Sequence, residues 1–243
     1  MASVSREELQ RLVTEDEEQH RGPWAQRPLV GLSAVGAVKR AQRAVEEMNS
    51  GALDRILTHG AIALPLPTVL DDVVVPLLEG IGTAWEKGRI GPAHEHLASV
   101  SIRRFLEWIL GAVDVGKGAP VLLAATPAGE RHELGALLSA VSGAAEGWKG
   151  IFLGADLPAE EIVAAAIQLE VGVVALSCFD PLTRQAFSGE IMKIRRGLPA
   201  DIHLVAGGPL AVSEEGSLIA GGIQVLGTFE DLRAGLRELG FQR

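Results

Sequence analysis

Between residues 34 and 114 apolar side chains recur at three- and four-residue intervals, as in VVVPLLEGIGTAW and HLASVSIRRFLEWIL, with no strand-like alternation. Such spacing keeps one stripe of each helix apolar and predicts a bundle of about four helices. From residue 119 to 243 the pattern changes. Short apolar runs (VLLAAT, GIFLG, GVVALS, IHLVAGG and IQVLG) each lead into a stretch of helical periodicity. Strands alternating with helices in this way predict an α/β domain: a flavodoxin-like, five-stranded parallel sheet covered on both faces. Ligands of such sheets sit beyond the carboxyl ends of the strands, so the loops there are where chemistry is sought.

The hinge-like DVGKGAP separates these two halves, and residues 1–33 stand apart from both. The sequence pattern predicts that they open with a short polar helix around Arg6 to Val13. The acidic, Pro- and Gly-containing TEDEEQHRGPWAQRP follows without apolar period and reads as an arm or linker, its acidic run a solvated face. A chain of 243 residues with 47% hydrophobic positions can bury a core in each half. Its formal charge of -9 opposes a phosphate backbone, so direct nucleic-acid binding is not expected. The single cysteine, Cys178, rules out an intrachain disulfide and fits a reducing, cytoplasmic setting. No signal peptide opens the chain, and no apolar stretch approaches the ~20 residues that span a bilayer.

Candidate chemistry begins after the first strand run, in TPAGERHELGALLSA, where Glu130, His132 and Gly135 form an ExHxxG pattern with Glu133 inside it. One reading makes His132 a helix-start histidine beside a capping carboxylate. The other makes it a ligand. The loop resembles the D/ExHxxG fingerprint of the cobalamin-binding domains of methionine synthase, B12 mutases and corrinoid carriers. That family continues with an SxL serine and then a glycine pair. Here 41 residues lie between Gly135 and Ser177, and 27 between Phe179 and the pair Gly207 and Gly208, matching the family habit except that Phe179 stands where leucine is usual. The resemblance implies His132 as the lower axial cobalt ligand, with Glu130 hydrogen-bonded to its other ring nitrogen to fix tautomer and basicity. Gly135 would let the helix approach the corrin, Ser177 would reach the benzimidazole, and Gly207 and Gly208 would leave room for the nucleotide tail. Asp156, in GADLP, would contact propionamide side chains or cap the helix that follows Pro158.

The helical half adds Trp85, nine intervening residues, and then Glu95 and His96. Taken alone these are a core aromatic and two surface residues at a helix start. In context the stretch resembles the helix-bundle cap of CarH-type photoreceptors, MerR-like regulators that use adenosylcobalamin, over roughly residues 35 to 240. The resemblance implies that Trp85 packs over the adenosyl group while Glu95 and His96 line the upper pocket. Light would then cleave the cobalt–carbon bond and change the assembly, a dimer or tetramer in the dark, with no enzymatic turnover. After Trp85 stands Glu86, where the best-known photoreceptors have a cobalt-capturing histidine; His94, His96 or water are the candidates for that position.

The opening SREELQRLV looks like the end of a MerR-type region, and the DNA-reading head of such regulators is missing from this chain. A shortened regulator and a stand-alone sensor both fit. A stand-alone sensor resembles the photocobilins, which hold biliverdin beside B12; His20, Arg21 and Arg27 would meet the propionates, against the plainer reading of a solvated arm. The rival class is a corrinoid methyl carrier, which also joins a helical bundle to a histidine-ligated B12 domain. A pocket shaped by Trp85, Glu95 and His96 for a bulky upper ligand argues against it. The downstream partner is not legible.

Overall fold

The computed structural model describes residues 33–180 and 184–240. Helices come first: α1 (Ala34–Glu46), α2 (Ser50–Ala63), the short α3 (Leu66–Val69), a π-helical turn (Leu70–Val74), α4 (Val75–Glu86) and α5 (Pro92–Ala112). Each start has a local cause. The Ser33 hydroxyl accepts the Gly36 N–H at 3.2 Å, and Asn49 accepts the Ala52 N–H at 2.9 Å. Pro92 opens α5, where its missing N–H costs nothing. The π-turn runs without a break from α3 into α4, so residues 66–86 form one continuous helical passage that the apolar period does not distinguish from a regular helix.

The second half alternates as the runs predict: β1 (Val121–Ala125), α6 (Leu134–Ala145), β2 (Lys149–Phe152), α7 (Ala159–Gln168), β3 (Val173–Ser177), α8 (Arg184–Gly197), β4 (His203–Gly207), α9 (Pro209–Ser213), α10 (Glu215–Ala220), β5 (Gln224–Leu226) and α11 (Phe229–Gly240). All pairings are parallel, in the order β2-β1-β3-β4-β5. Register places Leu122 beside Val173 and Val174 beside Leu204. Strand alternation sends Leu123, Ala125, Val174 and Leu176 to one face, under α7 and α8, and Leu122, Ala124, Val173 and Ala175 to the other, under α6 and α11. Both faces are dry, which is why the strands read as continuous apolar runs.

Bundle and sheet form one compact unit, Ser33–Arg243, with α5 packed along α6. The two halves are also tied by charge. Arg233 of α11 is fully buried and pairs with Asp71 in the π-turn, with Glu230 at 2.8 Å, and across 3.8 Å with Glu146 at the end of α6. No helix among the described residues is long and apolar enough to cross a membrane.

Candidate functional site at the carboxyl edge of the sheet

The loop between β1 and α6 leaves the sheet at its carboxyl edge and carries Glu130 and His132. Glu130 is 1% exposed. Its Oε1 accepts the His132 backbone N–H at 2.7 Å and faces His132 Nδ1 at 2.6 Å; its Oε2 accepts the N–H groups of Phe179 and Asp180 at 2.8 and 2.7 Å. Burial alone would raise this carboxyl, but the hydrogen bonds from the His132 ring and from the Asp180, His132 and Phe179 amides overrule it and hold it at about 2. Glu130 is therefore an anion at neutral pH, and an anion can only accept. Nδ1 must carry a proton, so in the neutral ring the lone pair lies on Nε2.

The same pairing raises His132 above the ordinary imidazole value: the hydrogen bond to Glu130 outweighs desolvation, and the charges of Asp180 and Glu95 add to it. The bundle thus brings the Glu95 carboxylate within electrostatic reach of the imidazole. More than half of the His132 side chain is open, at 55%, and its ring lies 4.9 Å from that of Phe179, tilted by 50°. An exposed imidazole whose Nδ1 is held by a buried carboxylate has the chemistry of a metal ligand: the fixed ring is basic and oriented. Among the described residues no cluster of three His, Cys, Asp or Glu could hold a bare ion by itself.

The other sequence candidates fall in two sets, one on the sheet half and one on the bundle. Ser177 ends β3, is 8% exposed, and its hydroxyl makes no hydrogen bond among the described residues. A Cβ at Gly135 would run into that hydroxyl, so the glycine makes room for Ser177. Gly207 ends β4, and Gly208, at φ 96°, has no space for a Cβ because the Cys178 carbonyl lies against it. Both constraints thus come from the protein's own neighbours rather than from open space. Glu133 forms an ion pair with Arg103 of α5 at 2.9 Å, and Asp156 turns its carboxylate to the Gly129 N–H. On the bundle side Trp85, in the last turn of α4, is 53% exposed. Glu95 accepts the Ser99 hydroxyl at 2.6 Å and pairs with His96 at 2.6 Å, while His94 Nδ1 takes the Gly91 N–H at the helix start. Cys178 is fully buried and its thiol is pushed up by that burial, a poor nucleophile for covalent attachment of a chromophore. His20, Arg21 and Arg27 lie outside the described residues.

Residues 120–237 match the model of a B12 binding domain, and residues 37–109 match a second model, also a B12 binding domain. Both halves of the chain thus resemble B12 binding domains. Cobalamin binding is what these matches support, and the residues fit it: an exposed imidazole held at Nδ1 by a buried carboxylate, and an unengaged, nearly buried hydroxyl at Ser177. The HTH-type transcriptional repressors CarH and CarA of Myxococcus xanthus are each 29% identical to it, over 88% of this chain and 67% of CarH, and over 81% of this chain and 66% of CarA. The chain thus spans about two thirds of the length of the curated relatives it matches. The Methanosarcina barkeri monomethylamine corrinoid protein has the same fold, with a TM-score of 0.68 at 14% identity over 85% of this chain and 100% of that one.

The amide donors of Phe179 and Asp180, the Arg103 pair and the Arg233 cluster were not anticipated from sequence. Backbone donors carry no residue signature. Arg233 did leave one: it interrupts the apolar stripe of Leu232 and Leu236 in FEDLRAGLRELG, where an unpaired cation would not be tolerated.

Proposed function

We propose that this B12-binding chain is a light sensor that holds adenosylcobalamin with His132 as its lower axial ligand and reports light as a change of assembly. The observation that carries it is the Glu130–His132 pair, an imidazole with one nitrogen locked and the other presented, in a chain 29% identical to a CarH repressor over 88% of its length. The cofactor would supply a cobalt–carbon bond that visible light breaks. Glu130 keeps the His132 proton on Nδ1 and so keeps Nε2 a donor. Ser177 offers a hydroxyl to the nucleotide tail, and Gly135, Gly207 and Gly208 define the walls beside it. Trp85, Glu95 and His96, on the bundle side, cover the upper ligand, and loss of that ligand would remove what Trp85 packs against. In this reading the chain turns over no substrate and works as a homo-oligomer in the dark.

The test is the absorption spectrum and the size-exclusion mass of the adenosylcobalamin-loaded chain, before and after green light. A spectral change together with a changed mass is expected. Photolysis at constant mass removes the assembly output. Refusal of adenosylcobalamin with ready uptake of methylcobalamin replaces the sensor by a corrinoid methyl carrier. A parallel sample with biliverdin examines a second chromophore.

A further inference from the structure

The loop that carries His132 is held by a second loop, the one after β2. Asp156 has φ 59°, in the left-handed region that few non-glycine residues enter. Its Oδ1 accepts the Gly129 N–H at 2.6 Å. Its own N–H points at the Glu130 carbonyl, 3.0 Å away, and at the Thr126 hydroxyl, 2.9 Å away. That hydroxyl, fully buried, donates in turn to the same Glu130 carbonyl at 2.5 Å. The next residue continues the tie: Leu157 donates to the Thr126 carbonyl at 3.1 Å, and Pro127 and Leu157 form a parallel bridge.

Glu130 is thereby fixed twice, its carboxylate by His132, Phe179 and Asp180, and its backbone by Asp156 and Thr126. Both fixations are needed to aim an imidazole two residues away, because a carboxylate on a mobile backbone would carry the ring with it. A glycine at 156 would adopt the same φ without strain but would leave the Gly129 N–H with no acceptor. An asparagine would keep both the φ and the acceptor oxygen.

From this we infer that Asp156 is a positioning residue for the cobalt ligand, holding the Gly129–Glu130 backbone so that His132 Nε2 keeps its direction. The inference rests on His132 being the lower ligand, so the experiment reports on both. The full chain is loaded with cob(II)alamin and its electron paramagnetic resonance spectrum recorded, with natural and with 15N-labelled histidine. One axial nitrogen splits the cobalt lines into triplets, and 15N turns them into doublets only if a protein histidine is bound. Wild type and Asp156→Asn are expected to show the triplet-to-doublet change, and His132→Ala to lack it. Asp156→Gly is expected to bind cobalamin about 10–100-fold more weakly, with a blurred or lost nitrogen splitting, while its thermal unfolding midpoint does not fall.

A wild-type spectrum unaffected by the label overturns the ligand reading and the inference with it. A labelled wild type that responds, beside an Asp156→Gly chain with the same splitting and affinity within about threefold, overturns the inference alone. So does an Asp156→Asn chain that behaves like Asp156→Gly, because charge and not the acceptor would then be responsible.

Discussion

Two charge clusters sit at opposite ends of α6, whose 12 residues span about 18 Å. At the end where α6 begins, Glu130 is buried and fully engaged, but its partner His132 stands more than half in the open with one nitrogen uncommitted. At the other end Arg233 is buried on all sides by Asp71, Glu230 and Glu146, and Arg237 closes the ring by reaching Glu146 at 2.8 Å and Glu230 at 2.7 Å. Both clusters bury charge and both perturb acidities. Only the first leaves a donor pair pointing outward. Buried charge by itself therefore says little about function; what separates a site from a clasp is whether a side chain with uncommitted bonding capacity is exposed.

The clasp is where the largest effect is expected. Asp71→Ala strands a fully buried guanidinium, whose Nε already lacks a hydrogen bond, and should cost about 3–5 kcal/mol in urea unfolding. Replacing both partners, Asp71→Leu with Arg233→Met, should recover most of that loss, since a buried ion pair rarely outperforms well-packed apolar groups of similar size. A loss below about 1 kcal/mol for Asp71→Ala would mean the cluster holds nothing together, and the contrast with the site would collapse.

How far each region could be read from sequence follows the same division. The five strands and the cover on both faces were legible because parallel strands buried on two sides must be apolar throughout, as Val173–Ser177 is. In the histidine loop the pairing of Glu130 with His132 Nδ1 was legible, because a carboxylate two residues before a histidine is within reach of its ring. The clasp was not, since Asp71 and Arg233 lie 162 positions apart and meet only in the folded chain. Nor was the role of Asp156: a positive φ and an accepted Gly129 N–H are properties of two loops meeting, and either loop alone shows only a polar residue before a proline.

At the open cluster the next effect is an acid-range loss of stability. Glu130 is held at about 2, below its ordinary 4.5, so the stability it contributes, about 3 kcal/mol, is complete above 4.5 and disappears as pH falls through 2. Urea unfolding of the ligand-free chain should record that decline in wild type. Glu130→Gln should flatten it and lose about 2–3 kcal/mol at neutral pH. An unchanged acid profile in Glu130→Gln would show that the carboxylate is no better held in the folded state than in the unfolded one.

His132 should move the other way. Its folded value is raised above 6.5, so the stability from this pair is present below 6.5 and fades as pH rises through the folded value. Binding a cobalt centre needs the deprotonated ring, so ligation strengthens over the range in which this pairing weakens. An NMR titration of the His132 ring in the ligand-free chain should give a midpoint above 6.5, and Glu130→Gln should bring it down towards the ordinary value. A midpoint at or below 6.5 in wild type would show that Glu130 does not hold the imidazole in solution.

The smallest effect tests whether the bundle is fastened equally at both ends of α6. Near His132 the tie is Arg103 to Glu133, an ion pair whose arginine is 47% exposed and also shared with Glu107 at 2.9 Å. Solvent screens such a pair and two long side chains must be ordered to make it, so Arg103→Ala should cost only about 0.2–1 kcal/mol, and less at high salt. Set against the clasp, such a loss would make the ionic attachment of the bundle lopsided, strong at Asp71 and weak beside His132. A loss above about 2 kcal/mol that persists in high salt would mean the cofactor end is gripped as tightly as the far end, and the bundle could then not lift from His132 without unfolding.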